Sequence, residues 1–234
     1  MNPYLSLIIP AYNEGKRIGW TVETVRAFLE TLGKPFEIIV VDDGSSDGTR
    51  DALAEIAGIR AISYQPNQGK GHAVRQGVVV SRGEYVAFSD ADLSAPIDEL
   101  PKLFAAIEAG AGIAIGSRAL RHSELVVHQP IYRELGGRAL NLAIRALAVR
   151  GIHDTQCGFK LFDGELARRL FPKCILNGWG FDVEVLYLAR RMGCEIAEVP
   201  VRWAHSADSK LNPFREGFRV ISDTIRVRLH RYRI

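Results

Sequence analysis

The stretch Gly83-Glu-Tyr-Val-Ala-Phe-Ser-Asp-Ala-Asp-Leu-Ser-Ala-Pro96 joins an apolar strand to a polar loop. Its residues 85–88 predict a buried strand, and Asp90 and Asp92 follow where the backbone leaves the sheet. Ligands of open α/β sheets bind outside these carboxyl ends. Two carboxylates in such a cleft repel each other unless a cation lies between them, and Mg²⁺ or Mn²⁺ prefers oxygen ligands. The stretch therefore predicts a divalent-cation site, although an isolated Asp-x-Asp is more often a solvated turn or cap.

A strand, a polar loop and a helix alternate through the first half of the chain. Apolar runs predict strands at residues 5–9, 36–41, 59–64, 85–88 and 111–116. Continuous apolar strands separated by helices are typical of a mostly parallel sheet with helices on both faces. Because loops that follow parallel strands meet at one edge of the sheet, the polar loops are expected to lie together there.

The second half is less regular. It predicts a polar basic loop at 117–130, a helix at 131–149, a strand-like segment at 153–161, a helix from 178 to 192 and a strand at 196–203. With no repeat and no evident linker, residues 1–212 are expected to form one domain. Residues 213–234 then form a C-terminal basic helix.

Composition excludes several classes of protein. The chain has 234 residues, of which 47% are hydrophobic, and a net charge of +3, so it can bury a core and shows no sign of disorder or of a nucleic-acid-binding surface. Its three cysteines are far apart, which favours a reducing compartment. With no signal-peptide pattern and no apolar run of about 18 residues, the expected location is the cytoplasm or the cytosolic face of a membrane.

Three further loops carry candidate binding residues. In Pro10-Ala-Tyr-Asn-Glu14 and Val41-Asp-Asp-Gly-Ser45, Tyr12 would face a nucleobase, and Glu14 and Asp43 would accept hydrogen bonds from base or ribose; ordinary turn chemistry is the alternative. Lys70 lies between two glycines at a predicted helix start, which favours an anion, or a solvated turn. Neither a G-x-G-x-x-G nor a Walker A motif is present.

Taken in order, these loops resemble a family. The motifs Pro10-Ala-Tyr-Asn-Glu14, Val41-Asp-Asp-Gly-Ser-Ser-Asp-Gly-Thr49, Asn67-Gln-Gly-Lys-Gly71 and Asp90-Ala-Asp-Leu-Ser94 resemble the inverting, nucleotide-sugar-dependent glycosyltransferases of family 2. The second half, above all Asp154-Thr-Gln-Cys-Gly-Phe-Lys-Leu-Phe162, is similar to the dolichyl-phosphate (polyprenyl-phosphate) β-glucosyltransferase branch. The resemblance covers nearly the full chain and implies a GT-A fold, a UDP-sugar donor, Mg²⁺ or Mn²⁺, and a polyprenyl phosphate acceptor at a membrane surface.

The resemblance also implies roles for individual residues. Asp90 and Asp92 would flank the metal that bridges the diphosphate, and Ser94 stands where related mannosyltransferases have a Gln ligand, which leaves the third protein ligand open. Gln156 would face the sugar. The nucleoside would be held by Pro10, Tyr12, Glu14, Asp43 and Lys70, the acceptor phosphate by Arg118 and Arg133, and the diphosphate or acceptor phosphate by Arg202 and Lys210.

The chemistry agrees with this implied reaction. A departing diphosphate accumulates negative charge that a cation and a Lys or Arg stabilise. A phosphate acceptor is already an anion at pH 7, so it needs guanidinium groups such as Arg118 and Arg133 rather than a strong base. In-line attack on an α-linked donor, with glucose the expected hexose, would give a β-linked product.

Three alternatives remain open from the sequence. The donor would be GDP-mannose or another nucleotide sugar, or the acceptor would be a soluble or polysaccharide hydroxyl. The hydroxyl acceptor predicts a catalytic carboxylate in the second half, with Asp154, Asp182 and Glu184 as candidates. From another class, the chain would be a nucleotide-binding regulatory domain without turnover, against which Asp90 and Asp92 argue.

The C-terminal helix has two interpretations. One face carries Phe214, Phe218, Ile221, Ile225 and Leu229, and the arginines around them are Arg215, Arg219, Arg226, Arg228, Arg231 and Arg233. A basic amphipathic helix lies in a membrane interface and is attracted to anionic lipid. Alternatively, it packs on the core with a solvated basic rim, or pairs with another subunit.

Overall fold

A single mixed sheet forms the centre of the protein. The computed structural model describes residues 2–121, 123, 147–204 and 213–233, without the side chains of 213–216. In these ranges the strands are β1 (Leu5–Ala11), β2 (Phe36–Asp42), β3 (Arg60–Ser63), β4 (Tyr85–Ser89), β5 (Ile113–Ser117), β6 (Phe159–Asp163) and β7 (Ile196–Pro200). Their order is β3-β2-β1-β4-β6-β5-β7, and every neighbouring pair is parallel except those that include β6.

Helices follow most of these strands. In the described ranges they are α1 (Ile18–Thr31), α2 (Thr49–Ala54), α3 (Lys70–Val80), α4 (Leu100–Glu108), α5 (Gly164–Leu170), α6 (Phe181–Arg191) and α7 (Pro213–Leu229). Short 3₁₀ turns lie at Ile97–Glu99 and Phe171–Lys173. Most of the predicted helix at 131–149 and of the loop at 117–130 lies outside the described residues.

The sheet is buried on both faces, as the continuous apolar strands predicted. Along β1, Ile8 packs in a cluster with Val74 of α3 and Phe181 of α6, whereas its neighbour Leu7 packs with Val22 of α1 on the opposite face. Successive side chains of a strand point to opposite faces, so a strand covered on both sides is apolar at most of its positions. The mostly parallel α/β architecture is confirmed.

The start of β6 differs from the prediction. A strand beginning at residue 153 is wrong, because β6 begins at Phe159 and runs antiparallel to both β4 and β5. The backbone N–H groups of His153 and Asp154 donate instead to the carboxylate of Glu198 on β7, at 2.8 and 2.9 Å. Residues 153–158 therefore form a loop that is attached to β7 before the chain enters the sheet.

The C-terminal helix α7 packs on the body of the protein through one face. Val220, Thr224 and Val227 are buried, and beyond the helix the hydroxyl of Tyr232 donates to Glu184 of α6 at 2.6 Å. The division of the chain at residue 212 stays a prediction. None of the helices in the described ranges has both the length and the apolar character needed to cross a membrane.

Candidate active site

The predicted binding loops lie at the carboxyl edge of the parallel strands. Tyr12 follows β1, Asp43 follows β2, Lys70 begins the helix after β3, and Asp90 follows the last residue of β4. Since β1, β2, β3 and β4 run in the same direction, these loops leave the sheet at the same edge. The edge therefore carries the polar residues that the sequence singled out.

An ion pair between Lys70 and Asp90 occupies the centre of this edge. The Nζ of Lys70 lies 2.5 Å from an Oδ of Asp90, and the indole of Trp179 covers the ammonium with its ring centroid 4.8 Å away. Burial alone would lower the pKa of Lys70, but the carboxylates of Asp90, Asp182 and Asp92 raise it above its ordinary value. Lys70 therefore stays an ammonium and supplies a fixed positive charge at the end of β4.

Gly158 supports the Asp90 carboxylate from the other side. The backbone N–H of Asp90 donates to the Gly158 carbonyl at 3.2 Å, and a Cβ added at Gly158 would overlap the carboxylate of Asp90. This approach arises from the antiparallel pairing, which sets Phe159 opposite Ser89. Only glycine leaves room for Asp90 in this position.

The loop that carries Asp92 is held in an unusual conformation. Leu93 adopts a φ of 48° although it is not a glycine, and its side chain is buried. The hydroxyl of Thr21 donates to the Ala91 carbonyl at 2.6 Å, and the Ser94 N–H donates to Asp92 at 2.9 Å. A strained residue of this kind persists only where its surroundings hold it, which is common at binding sites.

The two carboxylates that follow β4, Asp90 and Asp92, suit a hard divalent cation such as Mg²⁺. Among the described residues, no group of three or more His, Cys, Asp or Glu side chains is placed to hold a metal. Mg²⁺ is usually bound by one or two carboxylates and completes its shell with water and substrate phosphates, so Asp90 and Asp92 fit such an ion. The third ligand that Ser94 left open stays open.

Arg118 lies at the same edge of the sheet, because it follows β5, which runs in the same direction as β4. Its Nε and Nη2 donate to the two carboxylate oxygens of Asp154 at 2.6 and 2.8 Å, and its guanidinium lies 4.7 Å from the ring centroid of Trp203. Burial would lower the pKa of Arg118, but the carboxylate of Asp154 raises it above its ordinary value. Burial would raise the pKa of Asp154, but Arg118 outweighs it and holds that pKa below its ordinary value. The guanidinium is thus charged and held in one orientation.

The three carboxylates considered as bases are buried and engaged with other groups. Asp154 binds Arg118, and Asp182 forms an ion pair with Lys160. Glu184 accepts hydrogen bonds from two backbone N–H groups, at 2.7 and 2.8 Å, and from Tyr232. Each of the three is at most 2% exposed, so a hydroxyl acceptor would have no ready base among them.

Asp43 connects two loops of the site. One of its carboxylate oxygens accepts from Tyr64 and the Gln68 N–H, and the other accepts from Asn67 and the Gly69 N–H, at 2.8 to 2.9 Å. This network fixes the loop from which α3 begins at Lys70. A contact between Asp43 and a nucleoside stays a prediction. No sequence pattern indicated that four protein donors converge on Asp43.

The remaining predicted residues have varied surroundings. Tyr12 is 51% exposed, and Glu14 forms an ion pair with Arg17 at 2.5 Å. Arg202 bonds to Asp98 at 2.7 Å and Glu99 at 2.6 Å, so a role with phosphate would require a change of partner. Pro10 lies within β1, and Gln156 is half-buried in the loop before β6. Arg133 and Lys210 lie outside the described residues.

The described sheet order, with an Asp-x-Asp loop after β4, is that of a GT-A fold. Residues 6–171 match the model of glycosyl transferase family 2. The chain belongs to glycosyl transferase family 2, as its motifs predicted.

Relatives and solved structures agree with this assignment. The chain is 38% identical to a dolichyl-phosphate β-glucosyltransferase of Dictyostelium discoideum, over 97% of this chain and 74% of that protein. It is 36% identical to the Homo sapiens protein of the same name, over 96% and 75%. Glucosyl-3-phosphoglycerate synthase of Mycobacterium tuberculosis, solved with Mn²⁺ and UDP-glucose, superimposes with a TM-score of 0.72 at 21% identity, over 97% of this chain and 79% of that one. At that identity the superposition shows the fold alone.

The contact between Gly158 and Asp90 yields a prediction. Gly158→Ala would force the Asp90 carboxylate out of place, and a misplacement of about 1 Å at a reacting centre costs about 100-fold in rate. Because the φ of Gly158 lies outside the left-handed region, the fold is expected to survive. Transferase activity and thermal unfolding of the purified protein measure the two effects.

Gly19→Ala is the matched control, because a Cβ at Gly19 on α1 meets nothing within 4 Å. It is expected to leave activity unchanged. Full activity in Gly158→Ala would contradict the role given to this contact.

Proposed function

We propose that this protein transfers glucose from UDP-glucose to a polyprenyl or dolichyl phosphate, with inversion to a β-linked product. The observation that carries the proposal is a contrast at the site. The charged Arg118 guanidinium is fixed at the same edge of the sheet as Asp90, while Asp154, Asp182 and Glu184 are buried and engaged. A hydroxyl acceptor needs a base to remove its proton, whereas a phosphate monoester is already an anion and needs cations that relieve its repulsion from the donor. The names of the relatives support the same acceptor.

The chain's own residues would divide the work between donor and acceptor. Lys70 brings positive charge to the donor diphosphate, and Arg118, oriented by Asp154, receives the acceptor phosphate. A divalent cation, Mg²⁺ or Mn²⁺, held by Asp90 and Asp92 would neutralise the departing nucleotide diphosphate.

The other predicted contacts complete the proposal. Pro10, Tyr12, Glu14 and Asp43 would surround the nucleoside, and Gln156 would face the sugar. Arg133, Arg202 and Lys210 would add charge near the phosphates.

Acceptor choice tests the reaction. Radiolabelled UDP-glucose, the full chain and Mn²⁺ are incubated with a polyprenyl phosphate, with the matching polyprenyl alcohol and with free glucose. Transfer is expected to the lipid phosphate alone, and a GDP-mannose arm tests the donor. Transfer to the free sugar, or a product from GDP-mannose only, would contradict the proposal.

Asp92→Ala is expected to abolish transfer in the same assay while the fold is retained.

Arg118→Lys tests the acceptor site. A lysine cannot reproduce the two-point contact with Asp154, so the KM for the lipid phosphate is expected to rise by at least about tenfold, the effect of losing one charged hydrogen bond. The KM for the UDP-sugar should change less. Arg26→Lys on α1, a half-buried arginine that bonds to the Ala57 carbonyl, is the control, and an unchanged acceptor KM in Arg118→Lys would reject the assignment.

We further infer that α7 rests on the cytosolic face of a membrane. Phe218 and Leu229 are each 76% exposed, and with the exposed Ile225 they fall at i, i+7 and i+11, one side of the helix. Arg219 and Arg226 lie between this stripe and the face that packs on the body. An exposed apolar stripe bordered by arginines suits the interface of an anionic bilayer.

Removing the stripe tests this docking. Phe218→Ser with Leu229→Ser is expected to reduce flotation of the protein with vesicles that contain an anionic lipid, because apolar area and lipid attraction both contribute to binding. The transfer rate to a short, water-soluble polyprenyl phosphate should stay the same. Trp20→Ser on α1, which removes a side chain that is 58% exposed elsewhere, is the control, and equal flotation of all three proteins would refute the inference.

A further inference from the structure

A buried ion pair lies beneath the candidate active site. Lys160 of β6 and Asp182 of α6 are 1% and 2% exposed and contact each other directly. Burial raises the pKa of Asp182 even though Lys160 and Lys70 oppose the shift. A buried pair of this kind is often no more stabilising than apolar residues of similar volume, so stability alone does not account for it.

Lys160 holds the turn that supports Asp90. Its Nζ donates to the Cys157 carbonyl at 2.6 Å and lies 5.2 Å from the ring centroid of Phe88 on β4. The next residue after Cys157 is Gly158, whose backbone contacts the Asp90 carboxylate. The Lys160 ammonium therefore fixes the Cys157–Gly158 turn, which contacts the Asp90 carboxylate.

Asp182 in turn holds Lys160. Its carboxylate forms an ion pair with the Lys160 ammonium, and both side chains are almost fully buried. Asp182 belongs to α6 and Lys160 to β6, so the pair also joins this helix to the strand that follows Gly158. Asp182 therefore fixes the ammonium that holds the Cys157–Gly158 turn.

We propose that Lys160 and Asp182 are positioning residues that hold the Asp90 carboxylate in place, Lys160 through the Cys157–Gly158 turn and Asp182 through Lys160. This rests on the proposed cation site at Asp90 and Asp92. Neither residue touches substrate in this role, since both are buried. Residues that orient a metal ligand in this way typically change metal affinity when they are replaced.

The double variant Lys160→Met with Asp182→Leu separates positioning from stability. Replacing both members of a buried pair by apolar residues leaves no unpaired charge, so the thermal midpoint is expected to stay close to that of the unaltered protein. Binding of Mn²⁺ in the presence of UDP, followed by electron paramagnetic resonance, is expected to weaken by about 10- to 100-fold. The same Mn²⁺ affinity as in the unaltered protein would overturn the proposal.

Asp182→Asn gives a second measurement that does not depend on the folding of the double variant. The side chain keeps its shape and an oxygen acceptor for Lys160 but loses the charge that fixes the Lys160 ammonium, so weaker Mn²⁺ binding is again expected. Unchanged Mn²⁺ binding in this variant would overturn the part of the proposal that concerns Asp182.

Ser6→Ala is the control for a purely structural effect. The Ser6 hydroxyl is buried at the opposite end of the sheet, where it accepts from the Gly83 N–H and donates to Glu37. Its loss should lower stability without weakening Mn²⁺ binding. If the unaltered protein bound no Mn²⁺ with UDP, the proposed cation site itself would fail, which is a different result from equal binding by all variants.

Discussion

The antiparallel insertion of β6 between β4 and β5 is the constraint on which the candidate site depends. The parallel strands alone bring Asp43, Lys70 and Asp90 to one edge of the sheet. Because β6 enters from that same edge, it places the backbone of Gly158 directly against Asp90. A strand running the other way would present its far end there and could not supply this contact.

The charges at the edge alternate in sign, and this alternation explains how so many can be buried together. Asp90 contacts Lys70, and behind this pair Asp182 contacts Lys160. Arg118 and Asp154 form a further pair beside them. Isolated burial of any one of these groups would be costly, whereas each pair neutralises itself and leaves its members oriented. The arrangement fixes cationic side chains at the edge where, in the proposed reaction, a diphosphate and a phosphate would meet.

Local patterns predicted the first half of the fold well, and long-range pairing explains what they missed. The strands through β5 were visible because each is a continuous apolar run, and the loops after them were visible because polar residues follow abruptly. Residue 153 could not be recognised as part of a loop, since its backbone partner, Glu198, is 45 positions away. In the site, Asp90 and Lys70 were predicted as separate features, but their ion pair was not. The engagement of Asp154, Asp182 and Glu184 depends on partners that only the folded chain brings near.

The packing of α7 connects the surface of the protein to the site. A Cβ at Gly180 would lie 2.6 Å from the Cβ of Asp223, so α7 lies directly on the turn that contains Trp179 and Gly180. Trp179 in turn covers the ammonium of Lys70. The exposed stripe of Phe218, Ile225 and Leu229 therefore lies on a helix that is separated from the Asp90 site only by the turn that contains Trp179 and Gly180. The close fit between α7 and Gly180 leaves the helix little freedom to shift. If the stripe meets a bilayer, this packing therefore sets the position of the carboxyl edge of the sheet relative to the bilayer. An acceptor whose phosphate stays at the bilayer surface would need such a fixed relation between surface and site, and a soluble acceptor would not.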